Sequence, residues 1–398
     1  LSALRNAIIV ELAEGVAGEY CGKLLADFGA DLIKIEKPGC GSPTRRLGPF
    51  APNGEDPERS GLFAYLNTNK SSVTLDLGCA AGALTLARLL KHADAVIDDH
   101  APGWLAGVGL DPTGFQEKYR HLVLCAITPF GQEAPEERAH AEDLTVFNSS
   151  GWAYHTPSGM KDDAPPLKGP GRFLVSYEAG LEAAMCVVAC LYGRGTSGRG
   201  RFIDISKHAV MASRIDYVLG QMIAGAMDAS TSRTAFDLWG PAAIFPCREG
   251  FAYIWLSAAS HWQGLRQLLN NPDWMKDFPE NWLERAATPE RVATTRLHVG
   301  EWLRSQDKNE AAAAAQELGV MLVPVNNASD LLRSPQFRFR EFFAEVEHKM
   351  HGRALYPTVS YKLSATPAHI AAPAPALGQH TETKLVASVA VDLGTDRP

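Results

Sequence analysis

Between residues 170 and 206 the chain reads as a loop, a long apolar stretch, a glycine-rich turn and a short alternating run. Leu181, Ala184, Met185, Val188, Ala189 and Tyr192 recur at helical spacing, and Cys186, Val187, Cys190 and Leu191 fill the gaps between them. A helix that is apolar on nearly every side is expected to be buried. Gly195, Gly198 and Gly200 stop it and turn the chain into a strand over 201–206. The N-terminus of such a central helix offers free backbone N–H groups and a dipole that favours an anion.

The rest of the pattern alternates strand with helix. Residues 7–12 (AIIVEL) suit a buried strand, Gly15 and Gly18 a turn, 19–28 a helix closed by Gly29, and 31–36 the next strand. A helix over 80–90, a strand at 95–97, a turn at Pro102-Gly103 and a strand over 122–127 continue the period. This is a Rossmann-like α/β half with a parallel sheet. Gly15 and Gly18 have no third glycine at the offset a dinucleotide turn needs, which argues against a nicotinamide or flavin site. From about 222 to 319 the texture changes. Trp239, Trp255, Trp262, Trp274, Trp282 and Trp302 fall among short helical patterns, with a strand at 252–256, a helix over 260–269 capped by Ser260, and a helix over 311–318. This reads as a smaller α+β domain whose tryptophans suit a core or an interface, with the lining of a ligand cleft as the alternative. The boundaries are 1–221 for the first part of the large domain, 222–322 for the small domain and 323–398 for a return segment completing the large one.

With 398 residues, 46% of them hydrophobic, the chain can bury a large core in two domains. A formal net charge of -7 and the lack of a lysine–arginine run give no footprint for nucleic acid. The seven cysteines lack metal-ligand spacing, and Cys186 and Cys190, one turn apart, read as buried thiols. No uninterrupted apolar run of membrane length and no leader pattern stand out, so a reduced, soluble, cytoplasmic protein is expected, with no metal and no membrane partner.

Several segments, in order, resemble one family. They are 16–19 (VAGE), 25–38 (LADFGADLIKIEKP), 67–77 (NTNKSSVTLDL), 130–132 (FGQ), 170–206, 323–337, Pro357, 362–367 (KLSATP) and 375–381. The chain is similar to the class III coenzyme A transferases, which include formyl-CoA transferase, carnitine and bile-acid CoA transferases and alpha-methylacyl-CoA racemase. The resemblance implies that family's fold, with a chain that passes out to a small domain and back, and two subunits interlocked like linked rings. It implies coenzyme A or acyl-CoA as substrate and no tightly bound cofactor. CoA-binding positions then fall at Val16, Arg45, Arg46, Lys70, Leu75, Asp99 and His100.

The family's transferases capture the acyl group on an aspartate in the loop before the central helix. A carboxylate suits this because it attacks a thioester to give a mixed anhydride, which CoA thiolate converts to an enzyme-bound thioester. The matching position here is Ser176, which needs a base and forms an ester, a poor route to that thioester. Glu178, two residues on, is a candidate displaced nucleophile, and His155 a candidate acid or base; a first-turn glutamate and a loop histidine are also ordinary structural features. Cationic contacts thin out too: Thr68 and Ser71 replace family arginines, and Asp98, Asp99 and Ala101 stand where an asparagine and an arginine often help bind the nucleotide, the two aspartates putting negative charge near a phosphate-bearing ligand. Phe147, Trp152 and Tyr154 are compatible with an arylated acid or with plain packing. The expected role is the non-catalytic partner, in a heterodimer or heterotetramer, of a homologous Asp-bearing subunit, as in two-subunit members of the succinyl-CoA:benzylsuccinate type. The alternatives are an active homodimer using Glu178, and a repurposed binding or structural protein.

Overall fold

The structure, a computed structural model, describes residues 2–52, 54, 56–155, 171–225 and 241–392. The chain divides into two compact units: Leu1–Tyr154, Pro166–Gly220 and Glu341–Pro398 form one, His155–Pro165 and Gln221–Arg340 the other.

In the larger unit, β1 (Ile8–Glu11), β2 (Asp31–Glu36), β3 (Lys70–Thr74), β4 (Ala95–Asp98), β5 (Val123–Thr128) and β6 (Phe202–Ser206) form one parallel sheet in the order β3-β2-β1-β4-β5-β6. Helices cover both faces, so its inner strands are mostly buried, with Glu11, Lys34 and Glu36 enclosed among the apolar residues; every residue of β5 is buried. On one face, Ile9, Cys125 and Ile203 pack against α1 (Val16–Asp27) and the long central helix. On the other, Val10, Ile33, Val96 and Leu124 meet α2 (Ala80–Leu90). The strand at 70–74 is not visible as an apolar pattern, because KSSVT is mostly polar; pairing with β2 makes it a strand.

α3 (Asp143–Ser149) and the central helix α4 (Leu174–Ser197) follow β5. Gly180 lets α4 lie directly on α1: a Cβ there would stand 2.5 Å from the Ala17 carbonyl oxygen. α4 closes at Gly198, whose φ of 63° lies in the left-handed region, and Arg194 in its last turn pairs with Asp94 at 2.7 Å. Burial on all sides does not hold for this helix. Val175, Ala179, Ala183 and Val187 are buried, whereas Met185 is 53%, Val188 42% and Tyr192 87% exposed. The side bearing Ala179, Ala183 and Val187 meets α1 and the sheet; the opposite side borders an apolar groove of about 630 Å³ with Leu4, Phe28, Tyr361 and Leu363. Cys186 and Cys190 lie at the margin and are half-buried rather than enclosed. α4 is long and apolar enough to cross a membrane, contrary to the reading that no stretch reaches that length; its packing against α1, β5 and β6 is that of a core helix.

The smaller unit has an antiparallel sheet of β7 (Ala243–Pro246), β8 (Phe251–Trp255) and β9 (Met321–Val325). Its inner face packs on helices at Ala259–Leu268, Pro289–Leu303 and Lys308–Glu317. Trp262 and Trp282 are fully buried there, edge to face with ring centroids 5.2 Å apart. Trp239 lies outside the described residues. Ser260 does not cap the first of these helices. The helix starts one residue earlier, and the Ala259 N–H donates to Glu284 at 2.9 Å. Because β9 pairs with β8, residues 323–340 stay with this unit, and the chain re-enters the larger one at Glu341 through the hairpin Phe343–His348 and Gly352–Pro357.

Candidate active site

Ser176 is the third residue of α4, where the helix still has unbonded N–H groups. Those groups attract an acceptor, and the chain supplies one from α3. The Ser176 N–H donates to Asp143 Oδ2 at 2.9 Å and its hydroxyl donates to Oδ1 at 2.8 Å. Lys207, the residue directly after β6, donates from Nζ to Ser176 Oγ at 3.0 Å and pairs with Asp143 at 3.3 Å. Ser176 is 3% exposed, and the Lys207 and Asp143 side chains keep 15% and 11% of their surface. Asp143 and Lys207 are absent from the residues singled out in the sequence. The one available signal was the position of Lys207 beyond the carboxyl end of a parallel strand, where α/β sheets gather their ligands.

Glu178 points elsewhere: Oε2 accepts from Arg214 Nε at 3.4 Å, and Arg214 also binds Glu182 at 2.8 Å. His155 ends a short helix, Trp152–His155, and its side chain lies outside the described residues. Of the three rings considered for an arylated acid, Phe147 and Trp152 are packing elements, the Trp152 indole donating to the Met211 carbonyl at 2.8 Å; Tyr154 is exposed.

The switch point of the sheet, between β1 and β4, is the second place where the topology gathers a ligand. Here the N-terminus of α1 is filled by Asp99, which accepts from the N–H groups of Glu14, Gly15 and Gly18 at 2.9–3.1 Å. Its charge is thus taken up by the helix end rather than displayed. Asp98 is buried and binds His100 at 2.7 Å; Glu14 lies 3.5 Å from the same ring. Burial opposes a charged imidazole, but these carboxylates outweigh it and raise His100 to about 10, as a cation stacked on Trp104 at 3.7 Å. Asp99 is thus held by backbone dipoles and one oxygen of Asp98 by a cation, which reduces but does not cancel the negative charge expected at this segment.

Two of the expected CoA cations face inward. Arg45 is 1% exposed; it grips both oxygens of Glu36 at 2.8 and 2.9 Å, reaches Glu58 at 3.1 Å and the Pro375 carbonyl at 3.1 Å. Lys70 donates to Glu11 at 2.8 Å and to the Glu19 carbonyl at 2.7 Å, beside a fully buried Lys34 that pairs with both glutamates. Arg46 is exposed and donates to the Cys40 carbonyl at 3.1 Å. Val16 and Leu75 are core residues, 5% and 8% exposed. Of the expected cations other than His100, Arg46 alone is presented to solvent.

The profile of CoA-transferase family III matches residues 4–381. Succinyl-CoA:mesaconate CoA-transferase of Haloarcula marismortui is 26% identical over 403 residues, spanning 100% of this chain and 99% of the relative. Succinyl-CoA:(R)-benzylsuccinate CoA-transferase subunit BbsE of Thauera aromatica is 28% identical over 387 residues, 94% of this chain and 91% of the relative. A crystal structure of a CAIB/BAIF family protein from Brucella suis superposes with a TM-score of 0.83 over 99% of this chain and 100% of that one; at 24% identity, that likeness concerns the fold.

Proposed function

The chain belongs to CoA-transferase family III, whose members move CoA between an acyl-CoA and a carboxylic acid, and on that premise we propose that it is the partner subunit of an Asp-bearing homologue. In such an assembly this chain contributes its scaffold and an interlocking surface in a reducing compartment, while its relative captures the acyl group. The observation that carries this reading is the state of Ser176. A hydroxyl, not a carboxylate, stands at the capture position, and an ester formed there does not lead to the anhydride and bound thioester through which CoA is exchanged. Glu178 is engaged with Arg214, so the carboxylate on which the active-homodimer reading rests points away from that position. The likeness to a protein named as one subunit of a transferase supports a two-chain enzyme, and the relatives' names support succinyl-CoA as donor. The unpartnered apolar side of α4 supports a second chain against it.

The test is native mass spectrometry of the protein from its own cells, followed by an acyl-CoA exchange assay. Recovery with a homologous chain, and less than about 1% of the exchange rate when isolated, is expected if the carboxylate nucleophile that exchange requires is missing. Full exchange by a homodimer of this chain alone would refute the reading.

A further inference from the structure

We propose that Ser176, Asp143 and Lys207 form a hydrolytic centre, in which Ser176 Oγ takes the acyl group from an acyl-CoA thioester and releases it as the free carboxylic acid. The inference takes only the substrate class from family membership. It needs one thioester and water, and no partner chain.

The direction of the hydroxyl proton follows from the donors present. A lysine ammonium has three donors and no acceptor, so Oγ must accept from Lys207 at 3.0 Å and therefore gives its own proton to Asp143 at 2.8 Å. The oxygen is held between a base and a cation, and the ammonium and the N-terminal dipole of the 24-residue α4 both stabilise an alkoxide as it forms. A cap on the helix alone would need one carboxylate oxygen on the N–H. Asp143 uses Oδ2 for that and Oδ1 for the hydroxyl, and Lys207 adds a contact that capping does not call for. All three side chains come from the same unit, from α3, α4 and the residue after β6, so rigid elements fix the geometry.

The chemistry closes in two steps. In the first, the Oγ–carbon bond forms and the carbon–sulfur bond breaks. The serine proton passes to Asp143 and from there to the departing CoA sulfur, leaving an acyl ester on Ser176 and free CoA. In the second, a water oxygen attacks the ester carbonyl; its proton passes through Asp143 to Oγ as the ester bond breaks, and the acid leaves.

The test uses the full chain alone with acetyl-CoA and succinyl-CoA as probes, reading CoA release with a thiol reagent and the intact mass of quenched protein. We expect slow release and one acyl adduct mapping to Ser176, an oxygen ester that outlasts neutral hydroxylamine where a thioester or anhydride would not. Ser176→Ala removes both signals, and Ser176→Cys keeps an adduct. Asp143→Asn slows acylation by about 100-fold, whereas Asp143→Asn combined with Ser176→Cys recovers it, because a thiol needs less help in losing its proton; a purely structural aspartate would give no such recovery. CoA release that persists in Ser176→Ala, an adduct on another residue, or no release above buffer by the unaltered chain would overturn the proposal. Exchange with a partner chain is measured on the same samples, and its failure bears on the partner reading alone.

Discussion

Arg45 stacks on Phe63 at 3.7 Å while its guanidinium holds Glu36, Glu58 and a backbone carbonyl, so it cannot be removed without stranding a buried carboxylate. Arg45→Met is expected to lower stability by about 3–5 kcal/mol, measured by urea unfolding. Burial alone would raise the Glu36 carboxyl, but the Arg45 hydrogen bonds and Lys34 outweigh it and hold it at about 2 against an ordinary 4.5. The contribution of Glu36 is therefore complete above about pH 4.5 and is lost as pH falls toward 2. His100 works in the opposite sense. Raised from 6.5 to about 10, it stabilises fully below pH 6.5 and loses that contribution as pH rises to 10. Because the ring keeps some solvent contact, we expect about 1–2 kcal/mol lost over that range. His100→Gln should flatten the alkaline slope of the melting temperature; an unchanged slope would assign it to other groups.

Three of the described helices begin on a carboxylate from far away in sequence: Asp99 on α1, Asp143 at Ser176 on α4 and Glu284 on the helix Ala259–Leu268. This explains which parts were legible in the sequence. The strand at 31–36 and the helix at 80–90 follow from local periodicity and appear where the pattern puts them. Asp143 meets Ser176 across 33 residues, and no local pattern carries that distance. The same limit misplaced the burial of α4: composition reports how apolar a helix is, not which side finds a neighbour. Where the neighbour is close, the contact is exacting. Gly180→Val, placing a side chain against the Ala17 carbonyl, is expected to cost about 1–3 kcal/mol and to loosen hydrogen exchange in α1; unchanged protection there would show that the helices can part freely.

At the scale of the whole molecule, the exposed side of α4 is the largest departure from the sequence reading. Replacing Tyr192 and Val188 together with glutamate should weaken assembly with a partner by about tenfold or more while leaving thermal unfolding of the separate chain nearly unchanged. Analytical ultracentrifugation decides this, and association equal to that of the unaltered chain would place the interface elsewhere. The larger unit is also built from both ends of the sequence. Asn69, at a φ of 62°, takes the N–H groups of Ala371 and Ala372 on its side-chain oxygen; Ser72 accepts from Gly378 at 2.8 Å, and Pro375 supplies the carbonyl that completes Arg45. A ribosome making this protein thus delivers the last props of β3 only after more than 250 intervening residues have emerged, so the edge of the first-made sheet must wait, half-supported, for its final stitches. A chain stopped at Arg340 should accordingly expose β3 to rapid amide exchange, and protection of β3 in that fragment would show that the early half stands unaided.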